Sequence, residues 1–443
     1  MRESKKFLFV WWDGGGNMPP VLHLVRQLRS RGHLVHVLSD PSSEQSFREA
    51  GATFAAFRRA PHRIDLRPEN DPLRDWETRN PKKALENLRD RLLFGPAAGY
   101  AQDTLDQIMQ FQPDAVGIMD LTLGAMMAAE RARVPAAVIA PHILAYPVPG
   151  RPPFGPGFLP PRSALERLRD RVVAGLSERV LKKGLPGFNS VRRQFGLEPV
   201  TGVFEQVQRM TRILVLTSPS LELPGGPLPD NVRYVGPVLS DPAWATPWSW
   251  HCALEKREPL VLLSLSTTFQ NQRETLQRAI HGLGQLAVRA LITVGPALRR
   301  EDFNAPANVV IRKSAPHSQV LPHVDAMITH AGHGSVIRAL AHGVPLVCVP
   351  MGRDQNDMAA RVVYHGAGVR LSRSAPVQQF TDAVKKVLDD NRFRDAAAKL
   401  GAAIRRDAEN STAIVELERL AGCKDRTGRL DRDPVLSPFV LRG

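Results

Sequence analysis

Cysteine is scarce in this chain: three residues in 443, Cys252, Cys348 and Cys423, odd in number and far apart. With no CxxC pair they build neither a disulfide framework nor a zinc knuckle, and they suit a reduced, cytoplasmic setting. No run of 18 apolar residues occurs, so no segment has the length of a membrane-spanning helix. The apolar run Phe7–Trp12 follows Lys5 and Lys6 but ends after six residues in Asp13-Gly14-Gly15-Gly16, without a small-residue cleavage site. It reads as a buried strand rather than a signal peptide. Acidic residues are outnumbered, 44 to 59, yet the excess is even: net +8 up to Gly236 and +7 beyond it. There is no basic tail to grip nucleic acid, although a basic protein attracts anions in general.

What is present is an α/β alternation long enough for two domains. In the first half the strands are read at Phe7–Trp12, Leu34–Leu38, Ala52–Phe57, Ala115–Asp120, Ala136–Pro141 and Ile213–Thr217. Helices are read at Pro20–Arg31, Ser43–Ala50, Ala84–Gln110, Leu123–Arg133 and Ser163–Lys183. Residues 146–161 are too rich in Pro and Gly to be regular. The second half repeats the theme, with strands at Leu260–Ser266, Ala290–Val294, Val309–Lys313, Ala326–Thr329 and Leu346–Val349 and helices at Glu274–Val288, Gly334–His342 and Asp357–His365. The division expected is 1–236, a linker at 237–250, a second domain at 251–425, and a tail at 426–443 that can pack back on the first domain. Two doubly wound parallel sheets facing a cleft would place ligands at the carboxyl ends of the strands, near helix N-termini.

The most informative stretch is Thr329-His330-Ala331-Gly332-His333-Gly334-Ser335, followed by Gly343-Val344-Pro345 and by Pro350 to Asn356. Gly332 and Gly334 let the backbone approach a ligand. Ser335 and the free N–H groups of a helix start can hold phosphate oxygens. His330 can donate to a diphosphate oxygen, and Asp354 with Gln355 suits hydrogen bonding to sugar hydroxyls.

With these motifs the chain resembles glycosyltransferase family 1, the UDP-glycosyltransferase-like enzymes, and within it the bacterial natural-product type. Further matches are Val261 to Thr267, Ser314-Ala315-Pro316-His317 with Leu321-Pro322, and Tyr234-Val235-Gly236-Pro237. The resemblance implies the two-domain GT-B fold, an acceptor in the first domain, a nucleotide-sugar donor in the second, and inversion at the anomeric carbon without metal or other cofactor. The donor set it implies is Ser266, Thr267, Ser314, Ala315, His317, His330, Gly332, Gly334, Ser335, Asp354 and Gln355. The donor would be a UDP- or dTDP-sugar and the acceptor a hydrophobic small molecule, handled by a monomer or homodimer.

One departure bears on the chemistry. Relatives carry a His three residues before the Pro of the first helix, and that His takes the acceptor proton; here the position is Asn17, and an amide is no general base. Asp120, at the end of a strand, is the first substitute, with Asp13 and His142 behind it. A carboxylate base in a dry pocket suits a phenol, an aromatic carbon or an amide nitrogen, which opens C- or N-glycosylation.

Plainer readings stand beside these. His330 and His333 could be a metal pair, but no third ligand accompanies them. Asp354 could simply cap the following helix. Gly14–Gly16 lacks the third Gly of a dinucleotide fingerprint. The basic helix Ser163–Lys183 could touch lipid, but reads first as a solvated face. A glycosyltransferase homologue that has lost catalysis and serves as an auxiliary protein is the alternative that Asn17 favours.

Overall fold

Strands buried on both faces must be apolar at every position, not every second one, as Phe7–Trp11, Ala115–Met119, Ala136–Ala140 and Leu260–Leu263 are among the strands here. In the computed structural model, which describes residues 3–65, 67–241, 258–265, 268–295 and 298–422, the first sheet is built from seven of them. They are β1 (Lys6–Trp11), β2 (Leu34–Ser39), β3 (Thr53–Ala56), β4 (Ala115–Met119), β5 (Ala136–Ala140), β6 (Arg212–Val215) and β7 (Val232–Tyr234). All pair in parallel, in the order β3-β2-β1-β4-β5-β6-β7. The side chains of β1 sort by alternation: Leu8 and Val10 join one hydrophobic cluster, Phe7, Phe9 and Trp11 the other.

The second sheet holds β8 (Leu260–Ser264), β9 (Arg289–Thr293), β10 (Val309–Arg312), β11 (Ala326–Thr329), β12 (Leu346–Cys348) and β13 (Gly368–Arg370). Its order is β10-β9-β8-β11-β12-β13, again all parallel and again with a cluster on each face. The expected pair of doubly wound parallel sheets is therefore present.

Several features differ from the sequence reading, beginning with two short strands it did not include, β7 and β13. The helix expected over Ala84–Gln110 is broken into Pro81–Leu88, a wide turn at Arg89–Leu93, and Ala97–Phe111. Pro96 has no N–H to continue the first segment, and a Cβ on Gly95 would collide with the Asp90 carbonyl. Helices not anticipated follow at Leu185–Gln194, Val377–Asp389, Asn391–Glu409 and Ala413–Gly422. The last of these returns to the first sheet. Ala413, Leu417, Leu420 and Ala421 join the cluster of Phe7, Phe9 and Trp11, and Glu418 takes a two-pronged contact from Arg31 at 2.7 and 3.0 Å. The expected tail, 426–443, and residues 242–250 of the expected linker lie outside the described residues, as do Cys252 and Cys423.

Candidate active site

A doubly wound sheet opens a crevice at the carboxyl ends of neighbouring strands whose connections run to opposite faces. That point lies between β1 and β4 in the first sheet and between β8 and β11 in the second. The turn Trp12–Asn17 follows β1, Asp120 follows β4, and His330 follows β11. Left-handed backbone at residues other than glycine gathers around the same crevice: Asn271 (φ 54°), Ala331 (φ 64°), Arg353 (φ 57°) and Arg74 (φ 46°). Gln112 and Arg133, the remaining two among the described residues, end helices. Such conformations persist where the surroundings hold them, and they concentrate at functional loops.

On the second-domain side, His330 is half-buried, and its Nδ1, itself out of contact with solvent, has no partner among the described residues. Burial, with Arg353 adding to it, brings its pKa down to about 4, so the imidazole is neutral near pH 7. A methyl group on Gly332 would strike the His330 ring at Nε2, so glycine is what lets that ring sit beside the helix start. Gly334 and Ser335 occupy the first turn of the helix His333–Ala341, where backbone N–H groups point outward. His317 opens the helix His317–Val320; its Nδ1 is likewise buried without a partner, and burial followed by Arg338 brings its pKa to about 4. Ser314 is half-buried in the loop before it, while Ala315 packs into a hydrophobic cluster behind the crevice. Ser266 and Thr267 lie outside the described residues.

Gln355 is 3% exposed and its amide is spent on the loop that carries it. Its Oε1 accepts from the N–H of Met351 (2.7 Å) and of Gly352 (3.1 Å), and its Nε2 donates to Gln270 Oε1 (3.1 Å). Asp354 stands at the cap position of the helix Gln355–Tyr364, yet its carboxylate makes no capping hydrogen bond. It is free to act on Asp120 and His142, whose protonation it influences.

Those two side chains form a pair on the first-domain side. His142 Nε2 lies 3.4 Å from Asp120 Oδ2, and His142 Nδ1 is 2.8 Å from the Ile143 carbonyl, which can only accept. With Nδ1 donating there, the Nε2···Oδ2 contact needs a proton of its own, shared between the two residues. Burial raises the Asp120 pKa, with His142 opposing and Asp354 assisting. Burial works against charge on His142, but Asp120, Asp354 and the Ile143 carbonyl outweigh it and raise its pKa. The second Asp120 oxygen, Oδ1, is buried and has no partner among the described residues.

Asn17 and Asp13 are occupied differently. Asn17 closes the glycine turn: its Nδ2 donates to the Trp12 carbonyl (2.8 Å) and its Oδ1 accepts from Gly14 N–H (2.9 Å). Asp13 accepts from Gly15 N–H at 2.8 Å, beside Ser42 and Arg63, and burial raises its pKa. The Asp13 N–H in turn donates to Asp40 at 2.6 Å, a carboxyl that burial pushes up to about 7.

The two domains meet around this crevice. Arg353 Nε donates to Asp75 Oδ2 (2.7 Å), its second fork reaches Oδ1 (3.3 Å), and its third nitrogen donates to the Gly14 carbonyl (3.2 Å). Gly15 approaches Thr268 so closely that a Cβ would lie 2.6 Å from its methyl. His333 Nε2 is 2.8 Å from Thr217 Oγ1, and the ring of Trp76 meets Phe269 edge-on at 5.3 Å. The loop 146–161 docks on the second domain: Gly155 N–H donates to Asp357 (2.8 Å), and Arg370 donates to the Gly157 carbonyl (3.1 Å). Sequence reasoning overlooked Arg353 and the bridging place of His333. A lone Arg inside the Pro350–Gln355 motif was the available signal for the first. Among the described residues no three His, Cys, Asp or Glu side chains gather at metal-ligating distance.

Comparison with known proteins matches residues 185–409 to the family described as UDP-glucoronosyl and UDP-glucosyl transferase. The 4'-demethylrebeccamycin synthase of Lentzea aerocolonigenes is 34% identical over 408 residues, covering 89% of this chain and 94% of that protein. The demethyllactenocin mycarosyltransferase of Streptomyces fradiae is 24% identical over 419 residues, covering 93% and 86%. Among solved structures, the calicheamicin glycosyltransferase superposes with a TM-score of 0.75 at 20% identity, over 95% of this chain and 99% of its own. That likeness is one of fold and agrees with the GT-B arrangement.

Proposed function

Because the chain belongs to the UDP-glucoronosyl and UDP-glucosyl transferase family, we propose that it moves a hexose or deoxyhexose from a uridine or thymidine diphosphate sugar to a hydrophobic small molecule. The acceptor attacks the anomeric carbon from the first-domain side, the bond to the diphosphate breaks on the opposite side, and the configuration inverts. Asp120 Oδ1 takes the acceptor proton, while His142 holds Oδ2 and carries the compensating positive charge. Neutral His330 and the helix start at Gly332–Ser335 receive the departing diphosphate, supplying hydrogen bonds where its charge develops. Asp354 faces the sugar, and Gln355 keeps the loop that presents it.

The observation that carries this reading is the half-buried Asp120–His142 pair, in which the second carboxylate oxygen has no partner among the described residues. Asn17 is built into the glycine turn and does not replace the missing base. A carboxylate with a raised pKa is matched to an acceptor more acidic than an alcohol, such as a phenol or an aromatic N–H, so N- or C-glycosylation belongs to the proposal. An auxiliary protein without catalysis would have no use for such a pair.

The test combines product formation with donor binding. Purified protein is incubated with UDP- and dTDP-sugars and a panel of phenolic, indolic and alcohol acceptors, and products are read by mass spectrometry. Nucleotide present at about a hundred times its Kd stabilises by about 2.7 kcal/mol, which thermal denaturation detects. Asp120→Asn should lower turnover by about 10²–10⁴-fold and leave that stabilisation in place. Full turnover in this variant would remove Asp120 from its role; neither product nor nucleotide stabilisation in the unaltered protein would favour the auxiliary reading.

A further inference from the structure

The helix Ala164–Lys182 is built the wrong way round for a solvated surface helix. It starts cleanly, with Ser163 and Glu166 forming a reciprocal cap. Of its side chains only Asp170 and Leu181 are buried, and they mark the side that packs on the protein. Leu165, Leu168, Val172 and Leu176, spaced i, i+3, i+7 and i+11, run along the opposite side and are 75, 50, 51 and 56% exposed. Arg171, Arg179, Lys182 and Lys183 are exposed as well. Glu166 caps the helix start and Asp170 pairs with Arg169, while the exposed Glu178 pairs with Lys182 at 2.9 Å and leaves Arg171, Arg179 and Lys183 as the cations of the outward half. The outward half therefore presents a stripe of large aliphatic side chains flanked by cations. The loop leading into the helix adds Phe154 and Leu159, each 38% exposed.

The sequence reading made this segment first a solvated charged face and did not assign where its apolar positions point. They point outward, and a contiguous exposed aliphatic stripe marks an interaction surface. We propose that this helix lies flat on an anionic lipid surface, its leucines entering the acyl boundary and its arginines and lysines meeting the headgroups. Charge selects that occupant. A second copy pressed stripe to stripe would set cationic flanks against each other, whereas anionic lipid neutralises them.

The test is co-sedimentation of the full-length chain with phosphatidylglycerol–phosphatidylcholine vesicles and with pure phosphatidylcholine vesicles, at low and high salt. Binding is expected on the anionic vesicles, weaker by about tenfold or more on the neutral ones, and reduced by salt. Leu168→Glu with Leu176→Glu should weaken it by about tenfold or more. Arg171→Glu with Arg179→Glu should weaken it by at least about fivefold for each charge lost. All four positions are exposed, so both variants should keep the thermal midpoint of the unaltered protein, and both keep residues 423–443. No binding to anionic vesicles at low salt would overturn the proposal, and so would equal binding by the variants. A dimer in light scattering that the leucine variant converts to monomer would assign the stripe to a second copy and overturn it too.

Discussion

Arg353 reaches from the second domain to Asp75 and Gly14 of the first, and removing it should cost both stability and rate. The fork onto Asp75, at 2.7 and 3.3 Å, joins side chains that are 21 and 16% exposed. Deleting one partner of a fully buried pair costs about 3–5 kcal/mol, and the residual exposure here screens that to about 2–3 kcal/mol. Arg353→Met, Asp75→Asn and their combination form a double-mutant cycle, and the expected coupling is about 2 kcal/mol. Arg353 also immediately precedes Asp354 and holds a left-handed backbone. Freeing that loop should lower kcat/KM by about 10–100-fold, or about 1.4–2.7 kcal/mol of barrier. The effect has a pH signature. Burial would raise the Asp75 pKa, but Arg353 more than offsets it, so the carboxyl titrates below its ordinary 3.8. The stability this supplies is present above pH 3.8 and fades as pH falls through the depressed value, so the gap between Arg353→Met and the unaltered protein narrows in acid. Urea unfolding and initial rates on the four proteins measure all three quantities. A coupling below about 0.5 kcal/mol would refute the claim that this contact ties the domains together.

Other changes probe the same crevice. His142→Gln removes the positive charge that opposes burial at Asp120, so the acid limb of kcat/KM against pH should move to higher pH, with turnover down by about a hundredfold; an unmoved limb would count against the pair. Gly332→Ala drives a methyl group into the His330 ring and should weaken nucleotide diphosphate binding by about tenfold or more in calorimetry, and unchanged affinity would remove His330 from the donor cradle. Asp357, which accepts from Gly155, is pushed up to about 6 by burial, so its contribution to stability is complete below pH 3.8 and is lost as pH rises through about 6. Asp357→Asn should therefore be the more stable protein at pH 8, by about 1–3 kcal/mol in urea unfolding, and lose that advantage by pH 4; a pH-independent difference would refute it.

The strands at the centre of each sheet were legible because burial on two faces leaves an unbroken apolar run, as in Phe7–Trp11 and Leu260–Leu263. The crevice was legible in outline because the glycines and helix start at Gly332–Ser335 follow a strand end, where a doubly wound sheet opens. Pairings across the fold were not. Asp120 and His142 follow different strands, and only the parallel register of β4 on β5, Met119 opposite Ile139, brings them to the same end. The orientation of Ala164–Lys182 was equally hidden, since apolar spacing defines a face without saying whether that face looks in or out. The helices after His365 have ordinary amphipathic patterns, and the destination of Ala413–Gly422 is decided by long-range packing that no local pattern encodes.

That returning helix changes what counts as a separable part of the molecule. The first domain is completed by residues 413–422, which follow the second domain in the chain, so the second is, in effect, inserted within it, and an N-terminal fragment ending at the linker would expose Phe7, Phe9 and Trp11 on one face of its sheet. Chimeras that exchange halves between enzymes at a single junction in 237–250 would seat a foreign helix against Arg31, His33 and Arg212, the residues that Glu416 and Glu418 pair with here. A second junction near Ser411 would let each first domain keep its own returning helix.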